Sequence, residues 1–224
     1  MTVHLAGDST VASGKPEETP LMGWGGCLRR FIDAPVVNHA VGGATTESFT
    51  VEGRWSALLD ALIPGDRVLI QFGHNDQKEL ALAARAGYRD RLRGFVDDVR
   101  ERGASPVLLT SVERRLFEGD RVRRSHGPYP HAVRDLCREL DVPVIDLTSF
   151  TSWLYEWLGP QRSCELFVHA GAGEFAAWPD GVADDTHFRT EGAMAVAGYV
   201  GQALAALDRV GEDHEALGRW GIRP

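Results

Sequence analysis

Apolar and polar positions follow two different rhythms along the chain. Val3 to Ala6, Val36 to Asn38, Arg67 to Phe72, Pro106 to Thr110 and Val142 to Ile145 are short runs rich in β-branched and aliphatic residues. Gly, Pro, Asp or Asn bounds each one, which predicts five strands. Between them apolar residues recur three or four positions apart: Trp55/Leu58/Leu59/Leu62, then Tyr88/Leu92/Phe95/Val96/Val99, then Val133/Leu136/Cys137/Leu140. Each set predicts a helix with one apolar face. A last helix carries Val196, Val200, Leu204 and Leu207 on one side and is expected to run out at the polar Gly211-Glu212-Asp213.

Strands this apolar, alternating with helices, imply a parallel sheet covered on both faces, because parallel neighbours need long right-handed crossovers. The expected fold is a three-layer α/β/α sandwich with a five-stranded parallel sheet, as a single domain over residues 1–224. In such a sheet the loops leaving the carboxyl ends of the strands open on one edge, where ligands bind.

Composition narrows the function. With 43% hydrophobic and 25% charged residues among 224, the chain reads as an ordinary globular protein. Its 24 Lys+Arg against 32 Asp+Glu give a net charge of −8, which repels phosphate backbones and anionic lipid, so neither nucleic acid nor a membrane is an expected partner. The longest apolar stretch, Ala193 to Leu207, carries Gln202 and falls short of the ~20 residues of a bilayer span. Three cysteines, Cys27, Cys137 and Cys164, are an odd number without C-x-x-C or zinc spacing. His214-Glu215 begins like a zinc helix, but Gly218 stands where the second histidine belongs. No metal or organic cofactor is expected. The first residues show no basic, long-apolar leader, and together with the cysteines this points to a cytoplasmic setting.

The polar residues just after the strands carry the chemistry. Strand one ends in Gly7-Asp8-Ser9-Thr10, strand two in Asn38-His39-Ala40-Val41-Gly42-Gly43, and strand three in Gly73-His74-Asn75-Asp76. A serine at a strand-to-helix turn exposes its hydroxyl, and its own N–H faces the place where an oxyanion forms. Ser9 is therefore a candidate nucleophile. It needs a histidine base and a group that fixes that histidine's tautomer, and Asp184-Asp185-Thr186-His187 offers both. Each motif alone is a common turn or capped loop; their ordered occurrence on one sheet edge gives them weight.

Gly7-Asp8-Ser9, the glycine after strand two, Gly73-His74-Asn75-Asp76 and Asp184-x-x-His187 together resemble the four blocks of the SGNH (GDSL) hydrolase superfamily. Leu5 to Val11, Gly23-Trp24-Gly25, Val36 to Gly43, Gln71 to Gln77 and Asp185 to Phe188 are similar, more narrowly, to bacterial rhamnogalacturonan acetylesterases of carbohydrate esterase family twelve. The resemblance implies a flavodoxin-like SGNH hydrolase fold. It implies Ser9 as nucleophile, His187 as base then acid, and Asp184 as the group that orients His187. The Ser9 and Gly43 N–H groups and the Asn75 amide would make the oxyanion hole, with Gly42 as the alternative to Gly43.

The implied activity is removal of O-acetyl groups from plant cell-wall oligosaccharides of the pectic type. The alternatives are a broad short-chain ester, thioester or lysophospholipid hydrolase, and an inactive carbohydrate-binding protein. For the acetylated oligosaccharide, His74 at the third block, Arg115 in the Arg114 to His131 loop and Trp178 just before Asp184 are the expected contacts. Trp24, Trp153 and Trp157 are further aromatic faces able to stack on sugar rings, while Trp55 fits the core stripe of its helix.

Overall fold

In the computed structural model residues 1–219 are described, with side chains through residue 209. Five parallel strands form the central sheet: β1 (Val3–Gly7), β2 (Val36–Asn38), β3 (Arg67–Gln71), β4 (Ser105–Leu109) and β7 (Val144–Ile145), in the order β2-β1-β3-β4-β7. The expected strands are all present, within two residues at either end.

Alternation along the strands sends side chains into two separate cores. Ala6, Val68, Ile70 and Leu108 face α2 (Arg54–Ala61), α3 (Gly87–Glu101) and α4 (Tyr129–Leu140), where Trp55 stacks on Phe95 at 3.9 Å between ring centroids. Val3, Leu5, Leu69, Val107 and Leu109 point the other way, toward Leu147 and Tyr155 of α5 (Leu147–Arg162) and Val196, Val200 and Leu204 of α6 (Thr190–Arg219). No helix among the described residues is long and apolar enough to cross a membrane.

Three parts differ from the pattern-based expectation. Helix α5 was not expected because its buried stripe is largely hydroxylic, Leu147, Thr148, Thr151, Ser152 and Tyr155, so no apolar period betrays it. Helix α6 does not stop near Gly211 but runs to Arg219; one interior glycine costs a helix only ~1 kcal/mol and Glu215-Ala216-Leu217 are good helix formers. The side chains of His214 and Glu215 lie outside the described residues. Finally, the segment holding Asp184 and His187 is not a loop. It is strand β9 (Val182–Phe188), paired antiparallel with β8 (Phe167–Ala170) in a sheet of its own. A second small hairpin, β5 (Phe117–Glu118) with β6 (Arg121–Val122), follows β4.

Helix α5 does not return to the start of the sheet. Its first turn is capped by Asp146 beyond β7, Thr151 Oγ1 accepts the Glu113 N–H beyond β4, and the Pro160 carbonyl accepts from Arg115. It lies along the edge where the strands end.

Candidate active site

The strand order reverses direction between β1 and β3, and the chain leaves β1, β2 and β3 there into three loops that are tied to one another. Gly7 has no room for a side chain: a Cβ would lie 2.5 Å from Val11 Cγ2 and 2.7 Å from the Gln71 carbonyl. The turn after it is held by Asp8, wholly buried, whose Oδ1 accepts from Thr10 N (2.9 Å) and Thr10 Oγ1 (2.8 Å). Gln71 Nε2 donates to Thr10 Oγ1 at 2.6 Å, and Trp24 Nε1 donates to Gln71 Oε1 at 2.9 Å.

The second loop is pinned by Asn38, whose amide donates to the Val11 carbonyl at 2.9 Å. It ends in helix α1 (Thr46–Val51), closed by a reciprocal Thr45/Ser48 capping box. Asp76 joins the second and third loops. Its Oδ1 accepts from Thr46 N (2.9 Å) and Thr46 Oγ1 (2.7 Å), and its Oδ2 from Gly73 N (3.0 Å). Burial pushes the Asp76 carboxyl upward, and these donors only partly offset it.

On this frame Ser9, His187 and Asp184 form one hydrogen-bonded row. Ser9 Oγ is 2.9 Å from His187 Nε2, and His187 Nδ1 is 2.6 Å from Asp184 Oδ2. Asp184 Oδ1 accepts the backbone N–H groups of Thr186 (2.7 Å) and His187 (3.0 Å). Burial alone pushes Asp184 up, but the His187 ring and these N–H groups outweigh it and hold the carboxyl down at about 2. An ionised carboxylate only accepts, so Nδ1 carries the proton and Nε2 is left to accept from the serine.

The row opens on a cavity of 310 Å³ lined by Ser9, His187, Gly42, Gly43, Asn75 and Lys15, among others. Gly43 has φ +78°, a left-handed conformation that strains any L side chain. The N–H groups of Ser9 and Gly43 donate to no backbone acceptor among the described residues. The Asn75 amide is held at both ends, its Oδ1 by Lys78 Nζ (2.9 Å) and one N–H by the Ala44 carbonyl (3.1 Å), which leaves the other N–H for a ligand. Larger cavities of 350 and 630 Å³ lie elsewhere and contain none of Ser9, His187 and Asp184. The first holds Ser149, His126 and His131, but no hydroxyl lining either cavity is hydrogen-bonded to a histidine among the described residues. Among the described residues no three His, Cys, Asp or Glu side chains are grouped to hold a metal ion.

The expected substrate contacts lie elsewhere than anticipated. His74 is buried behind the loop, with Nδ1 3.4 Å from Asp8 Oδ2 and its ring edge-on to His126, so it faces the scaffold and not the cavity. The Arg115 guanidinium is already occupied. It donates to Ser163 Oγ (3.0 Å), to Asp185 Oδ1 (2.6 Å) and to the Pro160 carbonyl, fastening β9 to α5 and leaving little for an anion. Trp178 is half-buried in a bridge with Phe175 and does not line the cavity. Trp24 is wholly buried, and Trp55 is in the core. Thr10, Asn38, Gln71 and Thr46 had no visible role in the sequence; the first three are polar residues at or just past a strand end, and Thr46 opens α1.

Comparison with known proteins places these features in context. A family model described as the GDSL-like Lipase/Acylhydrolase family matches residues 5–195. The rhamnogalacturonan acetylesterase RhgT of Bacillus subtilis (strain 168) is 46% identical over 215 residues, 95% of this chain and 93% of that protein. The solved structure of YxiM from Bacillus subtilis superposes with a TM-score of 0.80 at 27% identity, covering 92% of this chain and 56% of that one. Axe2, an acetylxylan esterase from Geobacillus stearothermophilus, gives 0.64 at 18% identity over 90% and 93%, a likeness of fold.

Proposed function

The chain belongs to the GDSL-like lipase/acylhydrolase family, and from that premise we propose that it is a serine esterase removing O-acetyl groups from pectic oligosaccharides of plant cell walls. The observation that carries this reading is the Ser9–His187–Asp184 row opening on a cavity that also presents the Gly43 and Asn75 donors.

Ser9 Oγ attacks the acetyl carbonyl carbon while His187 Nε2 takes its proton. Charge moves to the carbonyl oxygen, where the Ser9 and Gly43 N–H groups and the Asn75 amide stabilise it. As the tetrahedral centre collapses, His187 returns the proton to the departing sugar oxygen. Water, deprotonated by the same imidazole, then attacks the acetyl-serine and releases acetate. Asp184 keeps the imidazole in the working tautomer throughout. At 310 Å³ the cavity is at the small end of ligand sites, a size suited to a short acyl group with its sugar and not to a long acyl chain. The buried Cys27 and Cys137 and the half-buried Cys164 are free thiols, which favours a reducing cytoplasm and substrates imported as oligomers.

The test is acetate release by wild type and Ser9→Ala from acetylated rhamnogalacturonan oligomers, acetylated xylo-oligomers and p-nitrophenyl esters of increasing length. Release from the pectic oligomers by wild type alone is the expected result. Rates that rise with acyl length would replace the carbohydrate reading with a lipase-like one.

A further inference from the structure

Helix α5 carries two tryptophans that neither core uses. Its inner face buries Leu147, Thr148, Thr151, Ser152 and Tyr155, the half-buried Phe150 packs at the margin of the second core, and the outer face presents Trp153 and Trp157, four residues apart. Trp153 is 59% and Trp157 65% exposed. Indoles are usually far more covered than this, and a cluster of them on a surface marks an interaction site. The two lie nearly parallel, 11° apart with centroids separated by 6.1 Å. The row continues through Phe150, 6.3 Å from Trp153, to Tyr199 of α6, which stacks on Phe150 at 4.0 Å. At its other end the Arg162 guanidinium sits over the Trp157 ring at 6.0 Å.

Arginines flank the row, and one of them stands without a carboxylate. In a chain of net charge −8, Arg121 reaches Glu156 of α5 and Arg162 lies over Trp157, whereas Arg124 turns to Ser152 on the buried face. Glu156 pairs with Arg121 and Glu118 with Arg123, whereas Arg162 has no carboxylate partner among the described residues. An indole face fits the C–H face of a pyranose, and a guanidinium fits a carboxylate. Together they fit a sugar chain that carries uronic acids. A row of successive rings suits an extended polymer better than a single sugar. It also leads toward the chemistry, since three residues past Trp157 the Pro160 carbonyl takes the Arg115 guanidinium that holds Asp185, the neighbour of Asp184.

We propose that Trp153, Trp157 and Arg162 form a second carbohydrate-binding site, separate from the Ser9 cavity, which holds the uronate-bearing backbone of a cell-wall polysaccharide. The proposal rests on the pectic reading of the substrate. Its function is to keep a long chain in place while successive acetyl groups are removed.

The experiment is titration calorimetry with deacetylated rhamnogalacturonan oligomers, which carry no ester and so report binding without turnover. Wild type and Ser9→Ala should bind alike. Trp153→Ala/Trp157→Ala should bind at least tenfold more weakly, with p-nitrophenyl acetate turnover unchanged, and Arg162→Ala should weaken binding of these oligomers several-fold but not of neutral xylo-oligomers. Undiminished binding by the double variant overturns the site, as does light scattering that shows a wild-type oligomer dissolved by those two substitutions, since the face would then join copies of the chain. An equal loss on neutral xylo-oligomers with Arg162→Ala overturns the uronate assignment. Absence of acetate release by wild type, in contrast, would count against the esterase reading and not against this binding.

Discussion

Two aspartate–histidine pairs sit at opposite edges of the sheet. Where the strands end, Asp184 accepts two backbone N–H groups on one oxygen and faces His187 with the other. Near where they begin, Asp66 also accepts two backbone N–H groups, from Thr2 (2.6 Å) and Ile63 (3.1 Å), and lies 3.4 Å from His4 Nε2. Each carboxylate takes two backbone N–H groups, although Asp66 takes them on separate oxygens and stands farther from its histidine. What differs is the far side of each histidine: His187 meets a serine hydroxyl beside an open cavity, whereas His4, 2% exposed, meets the ring of His39 at 3.1 Å. Burial pushes His4 downward, and burial with the neighbouring His4 takes His39 to about 4. One pair is therefore arranged to move a proton, and the other to keep its histidines neutral beside an ionised Asp66.

The most severe way to break the comparison is to neutralise each aspartate in turn. Asp184→Asn should lower kcat for acetate release by about 10⁴, the loss that follows when the base is held in the wrong tautomer. Asp66→Asn should leave kcat within about twofold and instead lower the melting temperature by several degrees, through about 1–3 kcal/mol of lost backbone capping. If the two variants lose activity equally, the distinction drawn here fails.

Smaller in effect, Asn75→Ala should reduce kcat by about 10²–10³ with KM little changed, because it removes a donor that acts on the transition state. A loss confined to KM would make Asn75 a ground-state contact.

The smallest effect concerns pH. His39 holds its proton in the folded state only below about 4, against 6.5 for the free side chain, so between those values the unfolded chain binds more protons. Stability should therefore be full above pH 6.5 and fall as the pH drops toward 4, with His4 acting in the same direction. His39→Gln should flatten that decline by about 1–3 kcal/mol, as read by chemical denaturation at pH 7 and pH 4.5. An unchanged slope would show that other groups govern it.

The same comparison explains what the sequence made legible. Central strands of Val, Leu and Ile, buried on both faces, announce themselves, and so do the Gly-Asp-Ser and Gly-His-Asn-Asp runs that leave them. Partners do not. Asp184 three residues before His187 is the exception; nothing in the string pairs Asp66 with His4, spends Arg115 on Asp185 or turns His74 inward to Asp8. The hydroxyl-rich inner face of α5 hid both the helix and the aromatic row on its back, because an apolar period was the signal sought. Strand β9, with Asp184 and Asp185 at its centre, reads as a loop for a related reason: its pairing with β8 is a long-range fact.

That hairpin has a mechanical meaning. Its strands share no ladder with the five-stranded sheet; they are joined to the rest through the packing of Phe167 and Phe188 and a few bonds such as Met22 N to the Phe188 carbonyl and Arg115 N to the Asp185 carbonyl. Nucleophile and base are thus mounted on two separately built parts, and the 2.9 Å between them is a joint and not a rung. A joint of this kind slips before either part melts, so on heating such an enzyme goes out of alignment, and falls silent, while most of its fold is still standing.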